Sequence, residues 1–299
     1  MKYDYLENIK EYFDFLTLAK SPNTLASYVI SVERFFDYLH VQTIEDVKKI
    51  TPSNCRSYMM QLKEDGLKIS SINAHIRPLK AIFNWLVDND YVNKSPLNKI
   101  KLLKEEKREV DYLSVDETKK IVSACTRLED RAIVATLLMT GLRRDEIASL
   151  KLVDYTGTHI TVIGKGNKQR TLPVASEVKM LLDQYIKIRN KKHGNTYEYL
   201  FVSKSCKLSQ LNGRFSGEAI RAKVKRALVL AGFPKDRMDT ISTHKLRHTF
   251  ASTLVLNDVP VETIQLALGH TNITTTMRYV HINKQKMDDA ILKNLPKLF

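Results

Sequence analysis

The sequence predicts a mainly α-helical chain of two domains, the second of which also carries a small antiparallel β-sheet. Three observations lead there. Apolar residues recur at three- and four-residue steps through the first hundred positions, the periodicity fails in a charge-dense stretch at 101–110, and beyond it helical segments flank one pair of alternating, β-branched segments. At 299 residues the chain exceeds the size at which one core usually suffices. With 43% hydrophobic and 27% charged residues it has the composition of a folded chain that can bury a substantial core.

The first domain is assigned to residues 1–100. Ser21 offers a capping side chain and Pro22 a preset first-turn φ, after which Leu25, Tyr28, Val29, Val32, Phe35, Phe36 and Leu39 form one amphipathic helix face. Thr51-Pro52 opens a second helix over 51–62. A third runs over 70–87, where Ile72, Ile76, Leu79, Ile82, Phe83 and Leu86 share a face. A compact four- or five-helix domain accounts for these stretches. Residues 101–110, dense in Lys and Glu and without an apolar stripe, read as an interdomain linker.

The second domain, 111–299, opens with a helix at 114–124, whose Asp116 and Glu117 suit the positive helix end. Helices follow at 127–139 and 143–150. Segments 159–163 and 169–174 are strands, and Gly164-Lys165-Gly166-Asn167-Lys168 between them supplies the residues of a tight turn, so Lys165 stands at the tip of a β-hairpin. Further helices are predicted at 177–188, 217–231, 244–256, 261–268 and 283–292. The stretch from Lys284 to Phe299 is richer in apolar positions (Met287, Ile291, Leu292, Leu295, Leu298) than its length requires, which fits either packing on its own domain or docking on a neighbouring protomer.

The net charge of +15 is uneven: residues 1–100 carry 13 Lys and Arg against 12 Asp and Glu, and residues 101–299 carry 35 against 21. A basic domain favours a polyanion because each neutralised phosphate releases condensed counterions. Nucleic acid fits this best, and an anionic membrane surface or general solubility stays open. Cys55, Cys125 and Cys206 are odd in number and widely spaced, which indicates neither a disulfide framework nor a zinc site. Met1 to Lys20 mixes acids and bases with aromatics and reads as lacking an apolar segment of signal-peptide type, and no apolar run approaches transmembrane length. The expectation is a reduced, cytoplasmic protein without cofactor or metal.

The chemistry lies in an ordered set of segments: Thr140-Gly141-Leu142-Arg143-Arg144-Asp145-Glu146, then the Lys165 hairpin, then His244-Lys245-Leu246-Arg247-His248, then Leu268-Gly269-His270, then Tyr279. Arginine suits a phosphodiester because its planar fork gives paired hydrogen bonds and stays charged. His244 and Arg247, three apart on a helix, project to one side. His270 follows Gly269, a helix terminator, which should leave its ring exposed at a turn. Taken singly each is weak: a surface Arg143–Glu146 pair, a core tyrosine or a structural or solvated histidine (His248, His281) is ordinary, and Lys165 lacks the spacing of a P-loop.

Together and in this order they resemble the tyrosine recombinase (phage integrase) family, most closely its Xer-type members, over nearly the whole chain and without departure at these positions. The resemblance implies an N-terminal helical core-binding (SAM-like) domain and an α/β catalytic domain. It implies that Tyr279 attacks a DNA phosphate to give a 3′-phosphotyrosine, that Lys165 protonates the leaving oxygen and His244 assists, that Arg143, Arg247 and His270 stabilise the transition state, and that Glu146 braces Arg143. Its partners are double-stranded DNA with specific sites and further copies of the chain in a tetramer, with or without a second recombinase or an activating translocase. Two other readings stay open, a catalytically silent DNA-binding regulator and a type IB topoisomerase-like enzyme. Dimer resolution, transposon or plasmid resolution and integration are not separated by the sequence.

Overall fold

The computed structural model describes residues 6–105, 110–164, 168–194, 196–203, 212–270, 272–277 and 279, with Thr274 described for its backbone alone. Lys165, Cys206, His281 and the helix predicted at 283–292 lie outside the described residues. The chain divides into two compact units, Met1–Arg108 and Glu109–Phe299.

Five helices make up the described part of the first unit: α1 (Glu7–Ala19), α2 (Pro22–Tyr38), α3 (Ile44–Lys48), α4 (Pro52–Glu64) and α5 (Ile69–Asp88). Ser21 caps α2 by accepting from the Thr24 N–H, and Thr43 and Thr51 open α3 and α4 with reciprocal side-chain bonds to Asp46 and Asn54. The short α3 is held by that cap rather than by an apolar period, which explains its absence from the sequence reading. Phe35 meets Tyr58 edge-on at 5.0 Å in a core that also buries Phe36, Phe83, Ile72, Ile76 and Leu79. Pro78 sits inside α5, where it forfeits a helix hydrogen bond, and the flanking apolar residues it shares the core with outweigh that loss. Residues 101–105, part of the segment marked as linker, are tied to α5: buried Asn73 donates to Leu103 O and Glu105 Oε1 and accepts from Leu103 N.

The second unit comprises α6 (Val115–Ser123), α7 (Leu128–Thr140), α8 (Arg144–Ser149), a 3-10 turn at Leu152–Asp154, strands β1 (His159–Ile163) and β2 (Gln169–Pro173), then α9 (Ser176–His193), α10 (Gly217–Leu230), α11 (Lys235–Thr240), α12 (Thr243–Leu256), α13 (Val261–Leu268) and α14 (Thr274–Met277). Helix α7 is buried on every side, from Ala132 through Leu138, and α6, α8, α9, α10 and α12 pack around it. Such an all-round apolar helix has no amphipathic stripe because it has no solvent face. The strands form a two-stranded antiparallel sheet in register from His159 opposite Pro173 to Ile163 opposite Gln169, with Thr161 and Thr171 hydroxyls 3.0 Å apart across it.

Charged residues fasten this unit where apolar contacts end. Buried Asp130 on α7 takes Lys223 (2.9 Å) and Arg226 from α10, and Lys223 also lies 4.7 Å over the Phe215 ring. At the entry to the unit Arg237 grips Asp111 with two 2.9 Å bonds and Glu117 with two more, while Leu113 N donates to Thr249 Oγ1 on α12. Among the described residues no helix is long and apolar enough to cross a membrane.

Asp130→Ala leaves Lys223 buried with its charge only partly matched, so urea denaturation is expected to show a loss of about 3 kcal/mol in stability. A loss under about 1 kcal/mol would mean that the ion cluster is not what joins α10 to α7.

Candidate active site

Helix α7 ends at Gly141, whose φ of 61° a residue with a side chain adopts poorly. Space makes the same demand, since a Cβ there would stand 2.4 Å from Cδ1 of Phe250 on α12. The chain can therefore turn while α12 passes close by. Leu142 is buried in the core and Arg143, in extended backbone, is delivered to the entrance of α8 with about a third of its side chain open to solvent.

Glu146, one turn into α8, reaches back to that entrance. Its carboxylate accepts from Arg143 N (2.8 Å) and Arg143 Nη1 (2.8 Å), and on its other side from Arg170 Nη1 (3.0 Å) and Nη2 (2.7 Å). Glu146 and Arg170 are almost wholly withdrawn from water. Burial alone would raise the carboxyl pKa. The bonds from Arg170 and Arg143 and their positive charges outweigh it and hold the pKa down at about 2. Arg170 stands on β2 and also donates from Nε to Ala267 O at the end of α13, 2.9 Å away.

The hairpin is brought against this pair. Gly164 N donates to Lys168 O at 2.8 Å to close the turn, and a Cβ on Gly164 would lie 3.5 Å from Arg170 Nη1 and 3.8 Å from Glu146 Oε1. Lys165 is the next residue along; it is outside the described residues. Helix α13 ends at Gly269, φ 63°, where a Cβ would stand 3.1 Å from Arg170 Nη1. The following His270 is half-buried, with Nδ1 2.9 Å from Thr276 Oγ1 and its backbone tied in both directions to Gln265. The turn expected to expose this ring instead folds onto α14, because Thr276 is fully buried beneath it.

From α12 comes Arg247, 5% exposed, donating from Nη1 to Gly141 O at 2.6 Å and from Nη2 to Leu268 O at 2.5 Å. It joins the end of α7 to the end of α13. Burial, then the neighbouring charge of Arg143, lowers its pKa to about 10; Arg170 acts in the same direction, and Glu146 and Tyr279 oppose. One turn earlier, His244 keeps an exposed face, yet partial removal from water and the charges of Arg247, Arg144 and Arg143 lower its pKa, so the imidazole is neutral near pH 7.

Tyr279 is 1% exposed. Its ring sits among Ala251, Val255, Ile264 and Leu268, and its hydroxyl lies 2.6 Å from His248 Nδ1, with the two rings 5.6 Å apart. Thus Arg143, Glu146 and Tyr279 each act on the charge of Arg247, His244 flanks the two arginines, and His270 is fixed two residues beyond the carbonyl that Arg247 holds. Sequence reasoning passed over Arg170 and left His248 as structural or solvated. Both had a signal: alternation puts Arg170 on the same side of β2 as buried Leu172, and His248 shares a helix face with buried Ala251 and Val255.

Residues 111–286 match the phage integrase family, and residues 9–90 match the phage integrase N-terminal SAM-like domain. Tyrosine recombinase XerD of Rickettsia bellii (strain RML369-C) is 30% identical over 307 residues, covering 96% of this chain and 98% of its own, and tyrosine recombinase XerC of Bacillus subtilis (strain 168) is 27% identical over 313 residues, covering 98% and 99%. Among solved structures, XerA recombinase is 26% identical with a TM-score of 0.54 over 97% of this chain and 99% of its own. A lambda integrase dimer bound to a COC′ core site shares the fold at a TM-score of 0.73 and 18% identity, over 92% of this chain and 94% of its own. A SAM-like helical unit followed by a helical unit with a β-hairpin is the architecture of a tyrosine recombinase. The chain belongs to the phage integrase family, with Xer recombinases as its relatives.

The depressed pKa of Glu146 carries a consequence for stability. Because its folded value lies below its ordinary 4.5, its contribution is complete above about pH 4.5 and is lost as pH falls toward about 2. In urea denaturation the stability gap between the wild type and Glu146→Gln should narrow by about 2 kcal/mol from pH 7 to pH 3. A gap that does not change with pH would show that Glu146 is not held ionised by the two arginines.

Proposed function

We propose that this chain is a site-specific DNA recombinase that cuts and rejoins strands through a 3′-phosphotyrosine, without metal or ATP. The observation that carries the reading is the gathering of three arginines about one carboxylate and one helix end: Arg143 and Arg170 share Glu146, and Arg247 bonds Gly141 O two residues before Arg143. Burial, then the charges of Arg143 and Arg170, lower the pKa of the Arg247 guanidinium, and the Glu146 carboxylate that opposes them is divided between Arg143 and Arg170. Two cations held together short of negative charge are relieved by an anion placed between them, and a phosphodiester in duplex DNA is such an anion. The basic balance of residues 101–299 supports the same partner.

In the reaction the Tyr279 oxygen forms a bond to phosphorus as the bond from phosphorus to the 5′ oxygen breaks. The phenol passes its proton to a base, the departing oxygen receives one from Lys165, and His244 assists as acid and base. Arg143, Arg247 and His270 hold the non-bridging oxygens, and Glu146 braces Arg143. The phosphotyrosine conserves the bond energy, so the reverse attack by a 5′ hydroxyl of a new strand rejoins the backbone unaided. A phenol has a pKa of about 10, so the surrounding positive charge is needed to draw off its proton at neutral pH. Since the Tyr279 hydroxyl rests against His248 inside the unit, reaching a phosphate requires the turn that carries it to move.

Residues 1–100 serve as the core-binding domain on DNA and 111–299 as the catalytic domain. The protein works in the cytoplasm as a tetramer on two DNA sites, and the segment from Lys284 to Phe299 docks on a neighbouring protomer. The tetramer in this proposal is supported by one solved structure of the same fold, a lambda integrase tetramer bound to a Holliday junction.

Wild type incubated with nicked suicide duplexes bearing candidate sites, in EDTA, should give a DNA-linked band on a denaturing gel. Tyr279→Phe should give none, and Arg143→Ala should form it about 100- to 1000-fold more slowly. DNA binding without any adduct would favour the regulator reading, and an adduct formed by Tyr279→Phe would remove Tyr279 from the chemistry.

A further inference from the structure

We propose that Arg170 is a positioning residue for the cleavage reaction, whose charge neutralises Glu146 so that Arg143 stays available to the DNA phosphate; this rests on the recombinase reading above. Glu146 touches both arginines, with Oε1 bonded to Arg143 Nη1 and Arg170 Nη1 and Oε2 bonded to Arg143 N and Arg170 Nη2. The group of three carries one net positive charge. Without Arg170, Glu146 and Arg143 would form a closed pair with no net charge. The guanidinium would be drawn to the carboxylate instead of to a phosphate. Arg170 is about nine-tenths buried, faces the core beside Leu172, and spends all three of its nitrogens on Glu146 and on Ala267 O. Three of its five N–H donors are thus spent and burial withdraws the side chain from DNA, so its effect passes through its neighbours.

Placement strengthens the assignment. Arg170 lies five residues beyond Lys165 on the returning strand, packs under Gly269 next to His270, and sits 3.5 Å from where a Cβ on Gly164 would be. A single side chain thus joins the hairpin, the first arginine segment and the turn that carries His270. Lysine would supply the charge but not the fork that spans two carboxylate oxygens and a carbonyl.

The test measures the single-turnover rate of phosphotyrosine formation by the full-length chain, on suicide duplexes carrying the sequences that flank its own gene, beside DNA affinity and thermal unfolding. Arg170→Gln is expected to slow adduct formation about 100-fold or more, with DNA affinity changed less than about threefold. Adding Glu146→Gln to it removes the charge that Arg170 had to neutralise and should recover at least about tenfold of the lost rate. Arg170→Lys should fall between wild type and Arg170→Gln.

A brace with a purely structural role predicts the opposite for the pair, since two lost contacts should be no better than one. Wild-type rate in Arg170→Gln, or a double variant as slow as the single, would overturn the proposal while leaving the recombinase reading intact. If Arg170→Gln does not fold, the double variant, which buries no unmatched charge, decides: a rate within about 100-fold of wild type supports the proposal and a slower one overturns it. Failure of the wild type itself to form an adduct would overturn the recombinase reading and this inference with it.

Discussion

The buried carboxylate of Glu146, shared by Arg143 and Arg170, is the interaction on which the rest of the second unit's site depends. A lone carboxylate so far from water would be neutral, and a lone pair of arginines so close would splay apart. Each solves the other's problem. The carboxylate stays ionised because two guanidiniums and a backbone N–H converge on it, and the arginines stay near each other because it stands between them. Three separate stretches of chain, the α8 entrance, β2 and the end of α13, meet at this point.

A second constraint works through backbone carbonyls. Arg247 uses two donors to hold Gly141 O and Leu268 O, the last turns of α7 and α13. Both helices end in glycines with positive φ; at Gly141 a side chain would collide with Phe250, and at Gly269 it would crowd Arg170. These glycines let two helix ends come close enough for one buried arginine to bridge them. The cost appears in the lowered pKa of Arg247, which still leaves it charged at neutral pH. The site is thereby charged in advance for an anion.

Tyr279 stands apart from this cationic group in kind. Its ring belongs to a small apolar cluster on α12 and α13, and its hydroxyl is satisfied by His248, the residue that follows Arg247. Neighbouring positions on α12 therefore face two environments, one polar and electrostatically tense, the other apolar and closed. A helix places consecutive side chains about 100° apart, so one helix can serve both.

Much of this was legible in the sequence because it is local. The amphipathic period of α2 and α5, the caps at Ser21, Thr51 and Ser114, the turn residues between β1 and β2, and the glycine terminators of α7 and α13 are all set by residues within one or two turns of each other. The order of the arginine, histidine and tyrosine segments was readable for the same reason, as was Glu146 beside Arg143. Short elements without a period of their own, such as α3, α11 and α14, were not.

What only the tertiary structure decided is which distant groups share a charge or a proton. Arg170 meets Glu146 from 24 positions away and Ala267 from 97, and His248 meets Tyr279 from 31. The energy of such contacts depends on burial and on the direction of approach, and neither is encoded by spacing along the chain. By itself the sequence determined the elements and the chemical types in the site; tertiary packing determined that the arginines gather at Glu146 and the end of α7, that His270 is tied to Thr276 rather than open, and that the tyrosine rests inside the fold against α12 and α13.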